Sequence, residues 1–239
     1  MKQVREIPVL FENDSCLILN KPPGLAVQGG EGVKVSLDSI LSARYSPRPL
    51  LVHRLDRDTS GVILVAKNRE AAAGFSALLA GGAAGGGAGK KGGVIKQYAA
   101  VCAGVPSPEQ GIITLPLEGQ GGRRGKGPQE SLTRYKALAA GTAGEEPCTL
   151  LEIEPGTGRM HQIRRHLASI GCPLLGDDKY GDFALNKRLR KACGLKHLLL
   201  HAARLVIPPT AGLIPEGADI RAPEPDYFHL PGLPRQMQG

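Results

Sequence analysis

The sequence is poor in aromatic residues, with no Trp, 4 Phe and 5 Tyr among 239 residues. Proteins that hold single-stranded nucleic acids on a platform of stacked rings need several aromatic side chains, so that class has little material here. No apolar run approaches the roughly 20 residues of a membrane-spanning helix. The N-terminus also lacks the apolar core of a signal peptide. We therefore expect a protein that is neither membrane-inserted nor exported and that stays in the cytoplasm.

Cysteine is scarce, and its spacing shows no pairing. The chain has 5 cysteines, an odd number, and no two of them form a C-x-x-C pair. They are Cys16, Cys102, Cys148, Cys172 and Cys193. Disulfide frameworks and zinc sites use even or closely spaced sets, so this pattern favours reduced thiols and no structural metal.

Positive charge and glycine are present in excess. The 30 Lys and Arg residues outnumber the 22 Asp and Glu residues, which gives a net charge of +8 and indicates a polyanionic partner such as a nucleic acid. Many of the 33 glycines lie in two segments, 81–93 and 119–127. Neither segment has the spacing of a phosphate-binding P-loop, so we expect no nucleotide cofactor. We predict a flexible loop at 81–93, and both segments either bind RNA or are solvated insertions.

Short strand-like runs alternate with a few helical patterns. The strand candidates, rich in Val, Ile, Leu and Tyr, are 16–20, 50–55, 62–66, 96–103, 131–138, 149–153 and 197–207. The helix candidates are 36–44, 68–79 and 159–170. In the last of these, Met160, Ile163, Leu167 and Ile170 would share one face. Because turns rather than crossover helices separate the strands, we predict a single α+β domain over 1–239, with a mixed, largely antiparallel sheet and flanking helices. The proline-rich tail after Pro208 should be extended.

The densest polar cluster is His-Arg-Leu-Asp-Arg-Asp-Thr-Ser-Gly at residues 53–61, between two strand candidates. One interpretation is a solvated, ion-paired turn, which the residue types alone favour. The other is that Asp56, between Arg54 and Arg57, is an ionised carboxylate that acts as a nucleophile or base.

A second cluster, residues 158–166, begins the third helix candidate and contains three arginines and two histidines. The histidines are five residues apart without an intervening Glu, so the zinc-protease pattern H-E-x-x-H is absent. A helix start with three arginines is typical of an anion site, whereas His161 alone is more often structural. Tyr98, in a strand candidate, is by itself an ordinary half-buried core residue.

In chain order these segments resemble the RluA-type pseudouridine synthases. The resemblance extends from about Asp14 to about Phe228 and rests on several ordered motifs. These motifs are Asn20-Lys21-Pro22-Pro23-Gly24-Leu25, residues 53–61, Lys96-x-Tyr98, Gly158-Arg159-x-His161-Gln162-Ile163-Arg164, Leu175-Gly176-Asp177, Tyr180-Gly181 and Leu200-His201-Ala202. The stretches 27–32 and 182–203 look most like the branch that acts on large-subunit ribosomal RNA.

The resemblance implies an isomerase that converts uridine in RNA to pseudouridine without a cofactor, in a central RNA-binding cleft. Asp56 would attack C1′ of the ribose or assist loss of the C2′ proton. Arg164 would be the buried partner of Asp56. Tyr98 would lie against the base and take the C5 proton.

The resemblance also implies a substrate-binding set. Arg54 would fill the gap that the flipped uridine leaves. The remaining predicted contacts are Lys21, Arg57, Arg159, His161, Gln162, Ile163 and Leu200, and a phosphate track could continue through Lys67, Lys90, Lys91, Arg123, Arg124, Lys126 and Arg165. We expect RNA as the partner, ribosomal RNA being favoured, and a monomer.

Three alternatives stay open at this point. The resemblance begins so early in the chain that we expect no separate N-terminal RNA-binding domain, which makes transfer RNA a competing substrate. A non-catalytic RNA-binding or ribosome-assembly protein could use the same scaffold. A metal-dependent nuclease would need acidic ligands, for which Asp177, Asp178 and Asp182 are the candidates.

Overall fold

The computed structural model describes residues 6–83, 93–118 and 127–233. Within these ranges the chain forms ten strands: β1 (Val9–Glu12), β2 (Cys16–Lys21), β3 (Leu50–Leu51), β4 (Ser60–Ala66), β5 (Ile95–Ala103), β6 (Gln110–Ile113), β7 (Thr133–Ala143), β8 (Glu146–Pro155), β9 (Leu200–Ile207) and β10 (Ala218–Arg221). The helices there are α1 (Leu37–Arg44), α2 (Arg69–Ala83), α3 (Gln162–Ser169) and α4 (Phe183–Ala192), with a 3-10 turn at Asp226–Phe228.

The chain divides into two compact units. The first unit comprises Met1–Lys96 and Ala202–Pro223, and the second comprises Gln97–His201 and Glu224–Gly239. The boundaries fall inside strands β5 and β9, so each of these strands contributes residues to both units. The predicted single domain over 1–239 stays a prediction.

The first unit is built on an antiparallel sheet in the order β1-β2-β4-β9, with β3 paired to β4 and β10 paired to β9. Every residue of β4 is buried because its Val-Ile-Leu-Val-Ala run is apolar on both faces. Helix α2 places Ala71 and Phe75 against this sheet's core, and Leu78 and Leu79 continue the same face.

The second unit contains the antiparallel order β5-β8-β7-β6. Its core joins apolar residues of β5 and β8 to Ile163 and Leu167 of α3. Met160 and Ile170 lie outside this helix, and Ile170 is exposed, so only two of the four predicted face residues are in the core. Helix α3 begins three residues later than predicted because His161 takes a left-handed conformation, with φ of 52°.

The α+β class with a largely antiparallel sheet is confirmed. Cys16, Cys102, Cys148 and Cys172 are buried in this structure, and Cys193 is half-buried. Strand candidate 50–55 shrinks to Leu50–Leu51, while β1, β6, β10 and helix α4 were not predicted. The tail after Pro208 is only partly extended, since it contains β10 and a 3-10 turn.

The glycine-rich segments are mostly outside the described ranges. Helix α2 includes residues 81–83, which the sequence assigned to a loop. Residues 84–92 and 119–126, with the basic residues predicted to extend a phosphate track, lie outside the described residues. In the described part of the chain, no helix combines the length and apolar character that crossing a bilayer requires.

Candidate functional site

Asp56 lies in the loop that connects β3 to β4 in the first unit. The Thr59 backbone N–H donates to the Asp56 carbonyl at 3.2 Å and closes a turn. Thr59 is buried, Asp56 is half-buried, and the neighbouring Arg54 and Arg57 are exposed. The Arg57 Nε lies 3.3 Å from Asp58 Oδ1. The segment is thus a turn, as its residue types suggest, and the turn presents Asp56 between two exposed guanidinium groups.

The glycine at the end of this loop is required by close packing. A Cβ atom on Gly61 would lie 2.2 Å from the Ala202 carbonyl oxygen, and the φ of Gly61 is +106°. A side chain at this position would push β4 away from β9. Gly61 therefore fixes where the loop ends and the sheet begins.

His53 fastens the start of the loop to the sheet. Its Nε2 accepts a hydrogen bond from the Leu64 backbone N–H at 3.0 Å. Burial and the nearby Lys96 lower the pKa of His53 to about 3. A hydrogen bond with the Arg54 backbone raises the pKa but is the smaller effect. The ring is therefore neutral at physiological pH, and the accepting Nε2 leaves the proton on Nδ1. This agrees with a loop-fixing role rather than an acid or base.

Lys21 binds the backbone of this loop from inside the protein. Its side chain is completely buried, and Nζ donates to the carbonyl oxygens of Pro22, Leu25 and Arg57 at 3.0, 2.9 and 3.0 Å. Burial lowers the pKa of Lys21 to about 7, although attraction to Asp58 and Asp56 favours the charged form. In this structure Lys21 has no exposed surface and its observed contacts are structural, so its predicted contact with substrate stays a prediction.

Arg164 of the second unit is held by a carboxylate that the sequence did not connect to it. Its Nε and Nη2 donate to Asp177 Oδ2 and Oδ1 at 2.8 and 2.6 Å, and Nη2 lies 3.3 Å from Asp178. The guanidinium also lies 5.3 Å from the centre of the Tyr180 ring. This bidentate pair is buried on both sides, which fixes the direction of the guanidinium.

Asp177 also organises its own loop. Its Oδ1 accepts the backbone N–H groups of Lys179 and Tyr180, each at 2.9 Å. Burial alone would raise the pKa of Asp177, but the hydrogen bonds from Arg164 and these two backbone groups lower it below its ordinary value. The pairing with Arg164 thus favours the ionised form of the Asp177 carboxylate. In the sequence Asp177 was singled out by the Leu-Gly-Asp motif and as a candidate metal ligand, and neither points to Arg164 as its partner.

The acidic residues proposed for a metal-dependent nuclease have structural partners. Asp177 binds Arg164, Asp178 contacts the same guanidinium, and Asp182 caps α4 by accepting the Leu185 N–H at 2.9 Å. Among the described residues, no group of three or more His, Cys, Asp or Glu side chains could hold a metal ion. These contacts give no support to the nuclease interpretation.

Gln162 ties the start of α3 to the sheet. Its Oε1 accepts from the Thr157 hydroxyl and the Arg159 N–H, and its Nε2 donates to Leu132 O and Thr133 Oγ1. Gln162 is buried, so its demonstrated contacts are structural. A direct contact between Gln162 and substrate stays a prediction.

The same network continues to His166. This side chain is completely buried between Thr133 and Ser131 oxygens at 2.9 Å and the Leu115 carbonyl at 3.0 Å. Burial lowers the pKa of His166. His166 is therefore a neutral core residue that joins α3 to Thr133 on β7 and to Ser131 and Leu115.

The three arginines of the predicted anion site are engaged within the protein. Arg159 Nε donates to the Glu130 carbonyl, Arg165 Nη1 donates to the Glu118 carbonyl, each at 3.1 Å, and Arg164 binds Asp177. Arg159 and Arg165 therefore each bind a backbone carbonyl outside the helix. Arg159 is nevertheless exposed, and the predicted anion site at this helix start stays a prediction.

The other predicted residues of the second unit differ in exposure. His161 Nδ1 lies 3.0 Å from the Tyr180 hydroxyl, and Tyr98 on β5 stands opposite Ile153 on β8. Ile163 and Leu200 are buried in the core. Their predicted contacts with substrate stay predictions, whereas their packing contacts are direct observations.

Comparisons with known proteins identify the family of this chain. The sequence profile of the family described as RNA pseudouridylate synthase matches residues 15–169, more than half of the chain. Ribosomal large subunit pseudouridine synthase C of Rickettsia bellii is 33% identical over 237 residues, covering 95% of this chain and 72% of that protein. The protein of the same name from Salmonella typhi is 39% identical over 210 residues, covering 82% of this chain and 60% of that protein.

A solved structure shares the fold. Human RNA pseudouridylate synthase domain containing 4 superposes with a TM-score of 0.72 and 27% sequence identity, covering 92% of this chain and 90% of the human chain. The family resemblance and the enzyme class expected from the motifs are thereby confirmed. The chain belongs to the RNA pseudouridylate synthase family and is an RNA pseudouridine synthase, an isomerase.

Proposed function

We propose that this enzyme isomerises specific uridines in large-subunit ribosomal RNA and that Asp56 is its essential carboxylate. The observation that carries the proposal is the half-exposed Asp56 on a turn that His53 and Lys21 anchor from inside the protein. The relatives from Rickettsia bellii and Salmonella typhi, named for the large ribosomal subunit, support the choice of RNA.

The reaction needs no external reagent because isomerisation leaves the oxidation state of the nucleotide unchanged. The C1′–N1 bond breaks, the uracil rotates, C5 bonds to C1′, the C5 proton is lost, and N1 takes up a proton, so that the product is an isomer of the substrate and Asp56 returns to its starting state. Asp56 either forms a temporary bond to C1′ or removes the C2′ proton, and each route uses an ionised carboxylate. The anchored turn keeps this carboxylate in a defined position, which lowers the entropy lost on reaching the transition state.

The exposed arginines beside Asp56 suit the handling of RNA. A uridine within a helix must leave its stack before C1′ is accessible, at a cost of a few kcal/mol. Arg54, two residues from Asp56, is exposed and long enough to occupy the vacated space, and Arg57 adds a positive charge for a phosphate. Tyr98 is proposed to contact the base, and Arg164 to pair with Asp56 during the reaction.

Tritium release tests the proposed chemistry. Large-subunit ribosomal RNA transcribed with uridine tritiated at C5 should lose tritium to water in the presence of the wild-type enzyme. Asp56→Asn should reduce the release by more than about a thousandfold, because the amide is neither a nucleophile nor a base at neutral pH. Asp58→Asn, which removes a neighbouring carboxylate from the same turn, is the matched control and should retain activity.

Two results would overturn the proposal. Release by Asp56→Asn at the wild-type rate would remove Asp56 from the chemistry. Release from a transfer-RNA transcript alone, with none from the ribosomal transcript, would reassign the substrate. A non-catalytic RNA-binding protein would bind both RNAs and release no tritium from either.

A further inference from the structure

A concave pocket lies in the second unit beside helix α4. Its cavity has a volume of about 280 Å³. Its lining side chains are Phe183, Asn186, Lys187, Arg190, Leu195 and Lys196, together with one carboxylate, Asp178, which lies 3.3 Å from Arg164. None of them belongs to the residues predicted to act in catalysis or substrate binding.

The pocket combines an exposed ring with positive charge. Phe183, in the first turn of α4, is 62% exposed, which leaves a large apolar ring open to solvent. Lys187, Arg190 and Lys196 are exposed around it. Across residues 6–83, 93–118 and 127–233, no carboxylate forms an ion pair with any of these three cations. An aromatic face with unneutralised cations is complementary to a nucleotide.

Helix α4 is hydrogen-bonded to the loop that frames the pocket. Asn186 of α4 donates from Nδ2 to the Asp177 carbonyl and accepts the Gly176 N–H at Oδ1, each at 2.9 Å. A Cβ atom on Gly176 would lie 2.0 Å from the His197 carbonyl oxygen, so the loop packs directly against the backbone of His197. The pocket therefore shares its wall with the loop whose Asp177 holds Arg164.

The remaining arginine of the helix has a different task. Arg188 donates from Nε and Nη2 to Glu146 Oε1 at 3.1 and 2.6 Å, which joins α4 to the start of β8. Arg188 does not line the pocket. The helix thus separates a structural guanidinium from the cations that surround Phe183.

We propose that this pocket binds a single-stranded nucleotide of the RNA substrate away from the target uridine. One base stacks on Phe183, and Lys187, Arg190 and Lys196 contact the flanking phosphates. A single strand is favoured over a duplex because stacking on a side chain requires an open base face. The proposal rests on the proposed function only in taking RNA as the substrate, and it deepens that function by assigning a second contact site.

Binding of a fluorescein-labelled oligo(A) RNA to the full chain tests the site, since this RNA contains no uridine that could react. Phe183→Ala should weaken binding roughly fivefold or more, as expected for the loss of one stacked base. The double variant Lys187→Gln with Arg190→Gln should lower the slope of log affinity against log salt by about 0.7 for each lost phosphate contact. Arg188→Gln is the matched control and should leave affinity and salt slope close to wild type.

The outcome is separable from that of the catalytic proposal. Single-turnover tritium release by Phe183→Ala should fall at limiting RNA and recover as the RNA concentration is raised, whereas Asp56→Asn should lose release at every RNA concentration and keep oligo(A) affinity. Circular dichroism and thermal melting show whether each variant folds. Unchanged affinity and salt slope in folded Phe183→Ala and double variants would overturn the RNA site, including the case in which the pocket serves a protein partner. An equal loss of affinity in Arg188→Gln would also overturn it, because the affinity would then depend on the net charge of the protein and not on the pocket.

Discussion

At the scale of single residues, the turn that presents Asp56 depends on polar groups that are hidden from solvent. Lys21 gives its hydrogens to three backbone carbonyls, one of them on Arg57 inside the turn. His53 accepts a backbone N–H from β4. Buried carbonyl groups without donors are costly, so these two side chains determine whether the turn keeps its shape. Asp56 is half-buried, whereas Lys21, which binds the backbone of its turn, is completely buried.

Replacement of Lys21 by Met should therefore destabilise the protein. The apolar chain of Met fills similar space, but three carbonyls lose their donor, at a net cost of about 2 kcal/mol once the relief of burying an amino group is subtracted. Urea unfolding measures this change in the free energy of unfolding. Lys67→Met is the control, since Lys67 forms a surface ion pair with Glu12 at 2.6 Å, and its loss should cost less than about 1 kcal/mol. Equal effects of the two replacements would show that the carbonyl contacts of Lys21 are unimportant.

Burial of Lys21 is a feature that sequence reasoning missed for a physical reason. Lysine is almost never fully buried, so a basic residue in a basic protein is reasonably assigned to the surface. Only the fold brings the carbonyls of residues 22, 25 and 57 around one Nζ. By contrast, Asp56 was recognisable because its neighbours in sequence are also its neighbours in space.

At the scale of elements, short helices with buried polar faces depend on partners from other parts of the chain. Helix α3 buries Gln162, Arg164 and His166, and each of them has a hydrogen-bond partner outside the helix. The sequence pattern predicted this helix from its apolar residues and misplaced its start. Helix α4 was not predicted, although Asp182 at its N-cap with Leu185 and Leu189 four residues apart is a helical signal.

The Arg164–Asp177 pair should dominate the stability of this region. Asp177→Asn leaves a buried guanidinium with a neutral partner and should lower the free energy of unfolding by about 3 kcal/mol or more at pH 7. Asp178→Asn, an exposed neighbour of the same guanidinium at 3.3 Å, should cost less than about 1 kcal/mol. Thermal or urea unfolding of both variants measures the difference, and a larger loss in Asp178→Asn would contradict the assignment.

The same pair predicts a dependence of stability on pH. Because the pKa of Asp177 is lower in the folded protein than in the unfolded chain, the unfolded chain binds the proton first as the solution is acidified. The stabilisation from Asp177 is thus complete above its ordinary pKa near 4 and is lost as the pH falls through its folded pKa. Urea unfolding from pH 6 to pH 3 should show a steeper loss in wild type than in Asp177→Asn. Parallel curves would contradict a lowered pKa.

At the scale of the whole molecule, local motifs revealed the chemistry, and long-range contacts escaped sequence reasoning. The α+β class and the order of most strands follow from apolar runs and turns, which are local properties. The division into two compact units does not, because its boundaries lie within β5 and β9, where the strand pattern is uninterrupted. The partner of Arg164 also required the fold, since thirteen residues and a turn separate it from Asp177.

The central claim concerns an RNA in the cell, so the most direct measurement is made there. Pseudouridines in the large-subunit ribosomal RNA are mapped in cells that lack the gene and in the same cells expressing wild-type protein or Asp56→Asn. We predict that one or more sites disappear without the gene, return with the wild type, and stay absent with Asp56→Asn at equal protein level. An unchanged map in the deletion strain, or restoration by Asp56→Asn, would contradict the account.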